Sequence, residues 1–359
     1  MSAHLTEIAP RSGQTNAQRD QHPDSAECGG FPPDQRLRQN AAMADHVEFG
    51  IGAADDPLRA WHTGLAADQP ALLLCPGLGA IPGIREGLLR PVPLAHAMGW
   101  NHRGGFGTPI ERHVDDGLAV LDALDVKTCT LAAFSAETGV AAEFARRYPD
   151  RVRGLLLVGG IPGSSVDSLA AALGVPEFLR RLAALAGTSS LRMSAPLLES
   201  VLPRIPTSEL STILLQHSGF MLPGGETAAV TEAVRGFLGR EWRWYLPLLA
   251  DSAREWSLEG LDCPVTVLAG RYDVLSDLRA LGRAVAPLPQ ARLRVLDTSH
   301  FVPFEAPDAL HDELALLLHR VQTVECARLG IDPPAPRRGR IRWKVPEVGT
   351  PRRPIPYPR

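Results

Sequence analysis

A chain of 359 residues with 45% apolar side chains can bury a core of domain size, which excludes a mainly disordered protein. Its formal net charge of -3 gives no basic field over the whole chain, so we expect no nucleic-acid partner. This length fits one large α/β domain with a small accessory part, or two modest domains.

The five cysteines are scattered and include no Cys-x-x-Cys pair, which argues against a disulfide framework and against a zinc site. The first residues lack the basic-then-apolar order of a signal peptide. No apolar run reaches the about 18 residues that a membrane span needs. We therefore expect a cytoplasmic protein without metal, cofactor or membrane contact.

Both ends of the chain have the composition of disordered segments. Residues 1–42 are rich in Gln, Asp, Pro, Ser and Gly and have no apolar period, which predicts a disordered N-terminal extension. Residues 331–359 are rich in proline, and from Arg337 onward eight Lys or Arg residues stand against one acidic residue. Such a segment is predicted to be a disordered, basic, Pro-rich tail.

Between the two ends, short apolar runs alternate with helical patterns. This alternation is typical of β-α-β units and predicts an α/β fold with a mostly parallel central sheet flanked by helices. The strand candidates are Ala71–Cys75, Ala97–Trp100, Thr128–Ala133, Gly154–Val158, Val265–Ala269 and Leu293–Leu296. The helices bracketing the third strand are predicted at Val114–Leu124 and Glu137–Arg147.

The alternation stops between residues 161 and 261, where several helical patterns follow one another and are broken by prolines. Strands resume after this stretch. The simplest interpretation is a helical insertion, 161–261, between two strands of one sheet. The α/β core then consists of residues 43–160 and 262–330.

Ser135 stands where a predicted strand runs directly into a helix, in Leu131-Ala-Ala-Phe-Ser-Ala-Glu-Thr-Gly. A serine at such a turn projects from the carboxyl edge of the sheet, and the helix N-terminus behind it favours developing negative charge. The ideal pattern is Gly-x-Ser-x-Gly. Ala133 meets the need for a small residue on one side, whereas Glu137 replaces the second glycine. In isolation, Ser135 fits a helix cap equally well.

Two further polar residues follow strand ends. Asp273 comes after the strand Val265–Ala269, and His300 comes after the strand Leu293–Leu296. Because parallel strands end at one edge of a sheet, Ser135, Asp273 and His300 are expected to lie together. Their order along the chain, Ser then Asp then His, is that of a hydrolase triad.

Four segments extend the pattern: Pro76-Gly-Leu-Gly-Ala, Asn101-His-Arg-Gly-Gly-Phe-Gly, Tyr148-Pro-Asp-Arg-Val and His300-Phe-Val-Pro-Phe-Glu-Ala-Pro. With these, residues 47–321 resemble the α/β-hydrolase superfamily, most of all its small esterases and haloperoxidase-type members with a helical lid. The departures are Pro76 for the usual histidine, Asn101 for the usual aspartate and Glu137 for glycine. The resemblance implies an α/β-hydrolase fold with the insertion as its lid.

The same resemblance implies roles for the residues. Ser135 would attack a carbonyl carbon, His300 would transfer the proton, and Asp273 would orient His300. The backbone N–H groups of Leu78 and Ala136 would form the oxyanion hole. Residues expected to contact a small acyl substrate are Phe134, His102, Trp242 and Tyr245, although aromatic side chains in the insertion more often pack its own core.

The leading hypothesis is a serine hydrolase that cleaves a small or medium apolar carboxylic ester or lactone. An acyltransferase or perhydrolase with the same triad is an alternative, because only the acyl acceptor differs. A non-catalytic ligand-binding protein on the hydrolase scaffold is another, with Glu137 as its main support. The oligomeric state cannot be predicted from the sequence.

Overall fold

A computed structural model of the chain describes residues 5–7, 46–52, 57–64, 69–76, 95–101, 110–160, 195–239, 242–243, 257–276 and 278–333. The chain divides into two compact units, residues 1–321 and 322–359. Its strands are β1 Leu5–Glu7, β2 Val47–Ile51, β3 Leu58–His62, β4 Ala71–Leu74, β5 His96–Trp100, β6 Cys129–Phe134, β7 Val152–Val158, β8 Val265–Gly270 and β9 Ala291–Leu296.

These strands form one sheet in the order β1-β2-β3-β5-β4-β6-β7-β8-β9. The strands from β5 to β9 pair in parallel, whereas β2 pairs antiparallel with β3, and β3 with β5. The eight strands from β2 to β9 thus make a mostly parallel sheet, and the three-residue β1 pairs antiparallel with β2. β4, β6, β7 and β8 therefore end at the same edge.

The central strands form because their side chains are apolar on both faces, as a sheet covered by helices on both sides requires. Alternate residues enter two separate cores. Leu73 and Leu131 point into one core and Leu72 and Leu156 into the other, and all four are fully buried. The sheet is thus packed on both faces, and this packing fixes the positions of its strand ends.

The helices are α1 Ile110–Ala123, α2 Thr138–Arg147, α3 Glu209–Gln216, α4 Thr227–Leu238, α5 Leu278–Val285, α6 Val302–Glu305 and α7 Pro307–Leu329. Val114 of α1, Phe144 of α2 and Leu281 of α5 belong to the first core. Leu310 and Leu314 of α7 belong to the second. Helices therefore cover both faces of the sheet.

The six predicted strands and two predicted helices are confirmed, with bounds shifted by up to four residues. The strands β1, β2 and β3 were missed by the sequence analysis, and β1 lies in the range predicted to be disordered. The other residues of that range, and the tail beyond residue 333, lie outside the described residues. The domain bounds inferred from the sequence stay predictions.

Helices occupy the described part of the insertion between β7 and β8. Residues 195–201 are helical, followed by α3 and α4. Ser208 caps α3: its hydroxyl accepts the backbone N–H of Ser211, and the Ser211 hydroxyl accepts the N–H of Ser208. Among all described helices, none combines the length and apolar character needed to cross a bilayer.

Candidate active site

Ser135 occupies a strained turn at the carboxyl end of β6. β6 ends at Phe134, α2 begins at Thr138, and Ser135 between them has a φ of 57°. A left-handed backbone costs a non-glycine residue roughly 1–2 kcal/mol. The Thr138 hydroxyl donates a 2.7 Å hydrogen bond to the Ser135 carbonyl and so helps to hold the turn.

Two glycines follow the end of β7 at positions where a side chain would crowd His300 or the Ser135 turn. A Cβ at Gly160 would lie 2.2 Å from the Thr138 hydroxyl oxygen. Gly159 has a φ of +58°, and a Cβ there would lie 3.2 Å from the His300 ring. The absence of side chains at both positions lets the Ser135 turn and His300 pack against the strand end.

A third glycine lets the loop after β9 cross the end of β8. A Cβ at Gly270 would lie 2.0 Å from the Ser299 carbonyl oxygen, so only glycine fits. Backbone bonds continue past both strands, with the N–H of Tyr272 donating to the Thr298 carbonyl at 2.9 Å. The loop thereby brings His300 over the strand ends.

The structure joins the three predicted residues by hydrogen bonds. Nδ1 of His300 lies 2.9 Å from Oδ2 of Asp273, and Nε2 lies 2.9 Å from Oγ of Ser135. Asp273 and His300 are buried, whereas Ser135 is partly exposed. Ser135 is therefore the most exposed of the three hydrogen-bonded residues.

Asp273 is held in its ionised form. Burial alone would raise the pKa of its carboxyl group, but the charge of His300 and the hydrogen bonds that the carboxylate accepts together outweigh burial, and the pKa is lowered. The backbone N–H of Leu275 also donates to Oδ1 at 2.8 Å. An ionised carboxylate only accepts hydrogen bonds, so Nδ1 of His300 donates a hydrogen bond to Asp273. Nε2 then accepts a hydrogen bond from the Ser135 hydroxyl.

Glu137 is buried at the turn, two residues after Ser135. Its carboxylate lies near Cys75 at the end of β4. Burial raises the pKa of the Cys75 thiol well above its usual range, and the charges of Glu137 and Cys129 raise it further. Cys75 therefore stays protonated. The turn at Ser135 forms with a glutamate at the position where the sequence pattern favours glycine.

The remaining predicted residues fall into three groups. Phe134 and Ala136 flank Ser135, and the half-buried Phe134 ring has its centroid 5.2 Å from that of His300. Trp242 is buried in a small cluster of the insertion itself, with its ring 5.2 Å from Phe237. Leu78, His102 and Tyr245 lie outside the described residues. Substrate contact by any of these residues stays a prediction.

A shallow surface hollow lies elsewhere on the molecule. Its lining includes Thr128, Asp150 and Arg151, which adjoin the starts of β6 and β7. Ser135 follows the end of β6, so the hollow lies at the opposite edge of the sheet. Over the described ranges, no group of three or more His, Cys, Asp or Glu side chains is arranged to hold a metal ion.

Four residues that support the site were not predicted from the sequence: Gly159, Gly160, Gly270 and Glu305. Gly159, Gly160 and Gly270 each directly follow or end an apolar strand, which is a usable signal for close backbone approach. Glu305 lies five residues after His300, and no sequence pattern assigned it a role. Its carboxylate accepts the backbone N–H of Ser299 at 2.6 Å, one residue before His300.

No protein-family model and no curated protein matches the sequence, so the comparison rests on solved structures. An α/β-hydrolase fold protein from Chitinophaga pinensis matches with a TM-score of 0.52 and 14% identity, over 76% of this chain and 96% of that one. This chain has the α/β-hydrolase fold.

Other structures with this fold differ in their named chemistry. A thermophilic esterase from Thermogutta terrifontis matches with a TM-score of 0.52 and 21% identity, over 77% of this chain and 99% of that one. A haloalkane dehalogenase variant from Bradyrhizobium elkanii matches with a TM-score of 0.53 and 17% identity, over 79% and 100%. The α/β-hydrolase fold therefore leaves the reaction to be argued from the site.

Proposed function

We propose that the protein is a serine hydrolase that cleaves a small or medium apolar carboxylic ester or lactone through an acyl-enzyme on Ser135. The observation that carries the proposal is the hydrogen-bonded series Asp273, His300 and Ser135, with Ser135 on a left-handed turn. This arrangement provides a nucleophile, a base that contacts it and a carboxylate that orients the base. A dehalogenase reaction is disfavoured because serine, not aspartate, occupies the turn.

In the first half-reaction, Oγ of Ser135 attacks the carbonyl carbon while Nε2 of His300 takes the hydroxyl proton. Asp273 offsets the positive charge that develops on the imidazole ring. The resulting tetrahedral oxyanion accepts hydrogen bonds from the backbone N–H groups of Ala136 and Leu78. When the tetrahedral species collapses, the bond to the leaving alcohol breaks and His300 returns its proton to that oxygen.

In the second half-reaction, water replaces the alcohol. His300 takes a proton from water, whose oxygen attacks the acyl carbon. The bond to Oγ then breaks, the acid leaves, and Ser135 recovers its proton from His300. Each cycle thus consumes one water molecule, releases the alcohol and the acid, and returns Ser135 and His300 to their starting protonation states. No oxidant or reductant is needed.

An apolar acyl group is supported by the side chains beside His300. The Phe134 ring and the Phe301 ring have centroids 5.2 Å and 5.6 Å from that of His300, and both residues are partly buried. Burying an acyl chain against such rings gains roughly 0.8 kcal/mol per CH₂ group. We therefore expect kcat/KM to rise from acetyl to butyryl esters.

The experiment that tests the proposal is labelling with a fluorophosphonate probe followed by peptide mapping. The native protein should be modified at Ser135, because the probe phosphorylates activated serines without a substrate being known. Heat-denatured protein and His300→Ala should not react. Folded protein that fails to label, or that labels elsewhere, overturns the proposal.

Two exposed residues provide matched controls. Ser200→Ala removes a hydroxyl that bonds only locally to Leu197, and His217→Ala removes an imidazole at the end of α3. Both variants should label at the native rate. Thermal unfolding of every variant separates loss of the fold from loss of the reactive group.

A further inference from the structure

One part of the insertion packs directly on the segment that follows His300. We call residues 220–225 the docking segment. The Phe220 ring has its centroid 5.3 Å from that of Phe301. A Cβ at Gly224 would lie 2.9 Å from the Glu305 carbonyl oxygen, and a Cβ at Gly225 would lie 2.9 Å from the Phe304 carbonyl oxygen. The two backbones thus approach as closely as glycine allows.

The carboxylate of Glu305 bonds to both sides of this contact. On the insertion side, Oε1 accepts the backbone N–H of Leu222 at 2.8 Å. On the histidine side, Oε1 accepts the Ser299 hydroxyl at 2.5 Å and Oε2 accepts the Ser299 N–H at 2.6 Å. Three donors therefore converge on one half-buried carboxylate.

Ser299 connects these hydrogen bonds to the imidazole of His300. Ser299 is fully buried and directly precedes His300. Its hydroxyl also accepts the N–H of Phe301 at 3.3 Å, so the backbone on either side of His300 is fixed. The Phe301 ring, which contacts the docking segment, packs edge-on against the His300 ring.

We propose that Glu305 is a positioning residue that couples the docking of residues 220–225 to the orientation of His300. The inference rests on the proposed hydrolase function. One carboxylate holds the insertion through Leu222 and the histidine loop through Ser299. A shift of the docking segment is therefore transmitted to the group that carries the proton.

Glutamine cannot replace Glu305 in this role although its shape is nearly the same. An amide has one acceptor oxygen and one NH₂ donor. In either orientation the NH₂ group faces a backbone N–H, that of Ser299 or that of Leu222. Glu305→Gln therefore breaks one side of the coupling while leaving the volume unchanged.

The first test compares Glu305→Gln with Glu232→Gln, an exposed glutamate on α4. Hydrolysis of p-nitrophenyl acetate and the fluorophosphonate labelling rate are measured. For Glu305→Gln we expect both kcat and the labelling rate to fall roughly tenfold or more, since hydrogen bonds to charged groups are the strong ones. Glu232→Gln should match the native protein. Equal behaviour of the two variants overturns the proposal.

A second pair of variants separates the two sides. Leu222→Pro removes the insertion donor and should lower kcat, because the docking segment then no longer helps to hold the carboxylate that positions Ser299 and His300. Ser299→Ala removes the hydroxyl and should lower kcat with KM unchanged. Where Leu222→Pro does not fold, Gly225→Ala displaces the same segment by its contact with Phe304. A native kcat in folded Leu222→Pro or in Ser299→Ala contradicts the coupling.

Hydrogen exchange keeps this test separate from that of the hydrolase function. Exchange of the Leu222 amide should accelerate about tenfold in Glu305→Ala, which removes both carboxylate oxygens, and stay native in Glu232→Ala. Unchanged exchange refutes the docking role whatever the activity. A native protein that neither labels nor hydrolyses overturns the proposed function, and the amide exchange then decides whether Glu305 holds the insertion.

Discussion

The central sheet buries its apolar side chains, whereas the described part of the helical insertion exposes many of them. In the sheet, Leu72, Leu73 and Leu74 of β4 are fully buried. In the described part of the insertion, seven large apolar residues are at least 40% exposed: Leu197, Val201, Ile205, Leu210, Ile213, Leu214 and Phe237. The residues of the proposed triad follow the ends of strands in the buried sheet, whereas the exposed apolar side chains belong to the insertion.

The proposed reactive residues and the exposed apolar residues therefore lie in different regions of the chain. Strand ends held by a close-packed core keep Ser135, Asp273 and His300 within hydrogen-bond distance, because such a core deforms little. The insertion reaches the site through the docking segment and Glu305. Substitutions in the two regions should therefore change different quantities.

The largest effect is expected from removing the reactive groups at the sheet edge. Ser135→Ala and His300→Ala should each lower kcat by about four orders of magnitude, because nucleophile and base act as a unit. Steady-state hydrolysis of p-nitrophenyl acetate measures the loss. Turnover that survives Ser135→Ala would rule out the acyl-enzyme. Leu214→Ala, in the insertion, should leave kcat near its native value.

A smaller effect is expected on the stability of the two regions. Leu156→Ala opens a cavity in the second core and should lower the free energy of unfolding by about 2–5 kcal/mol. Leu214→Ala, at a residue 66% exposed, should change it by less than about 0.5 kcal/mol. Urea unfolding followed by circular dichroism measures both. Equal destabilisation would mean that the insertion is packed as tightly as the sheet.

The acid dependence of stability tests the ionised carboxylate. The pKa of Asp273 is lowered in the folded protein, so its carboxylate stabilises the fold above the unfolded value of about 3.9. This contribution is lost as the pH falls through the lowered pKa. The stability difference between native protein and Asp273→Asn should be constant near neutral pH and shrink below about pH 4. Urea unfolding across that range measures it, and a difference that grows in acid contradicts the assignment.

The smallest effect is expected at Glu137. Glu137→Gly should preserve or raise turnover, because glycine satisfies the close approach of strand and helix at the Ser135 turn. Hydrolysis of p-nitrophenyl acetate provides the measurement. A large fall in kcat, with the thermal unfolding temperature unchanged, would assign the buried carboxylate a part in the reaction.

The sequence predicted the central strands and the convergence of Ser135, Asp273 and His300 because both follow from short-range patterns. Buried parallel strands are continuous apolar runs, and a polar residue just after such a run must lie at the carboxyl edge. β2 and β3 were missed because each mixes exposed and buried residues over only five positions. β3 is placed by its pairing with β5, which is remote in sequence, and β2 is placed by its pairing with β3.

The supporting contacts could not be predicted for the same reason. The bond between Glu305 and Leu222 spans 83 positions, and no local pattern links a loop amide in the insertion to a glutamate after the histidine. Gly270 could be recognised as a strand-end glycine, but its close approach to Ser299 depends on how the next strand turns. Packing between remote segments, not local preference, sets these positions.

The left-handed backbone of Ser135 has a consequence for how this protein could evolve. Glycine adopts a φ of 57° without steric cost, so Ser135→Gly would relieve roughly 1–2 kcal/mol of strain and give a more stable fold. That fold would lack the hydroxyl. Selection for thermal stability alone would thus favour glycine at this turn, and the proposed role of Ser135 as nucleophile accounts for the less stable serine.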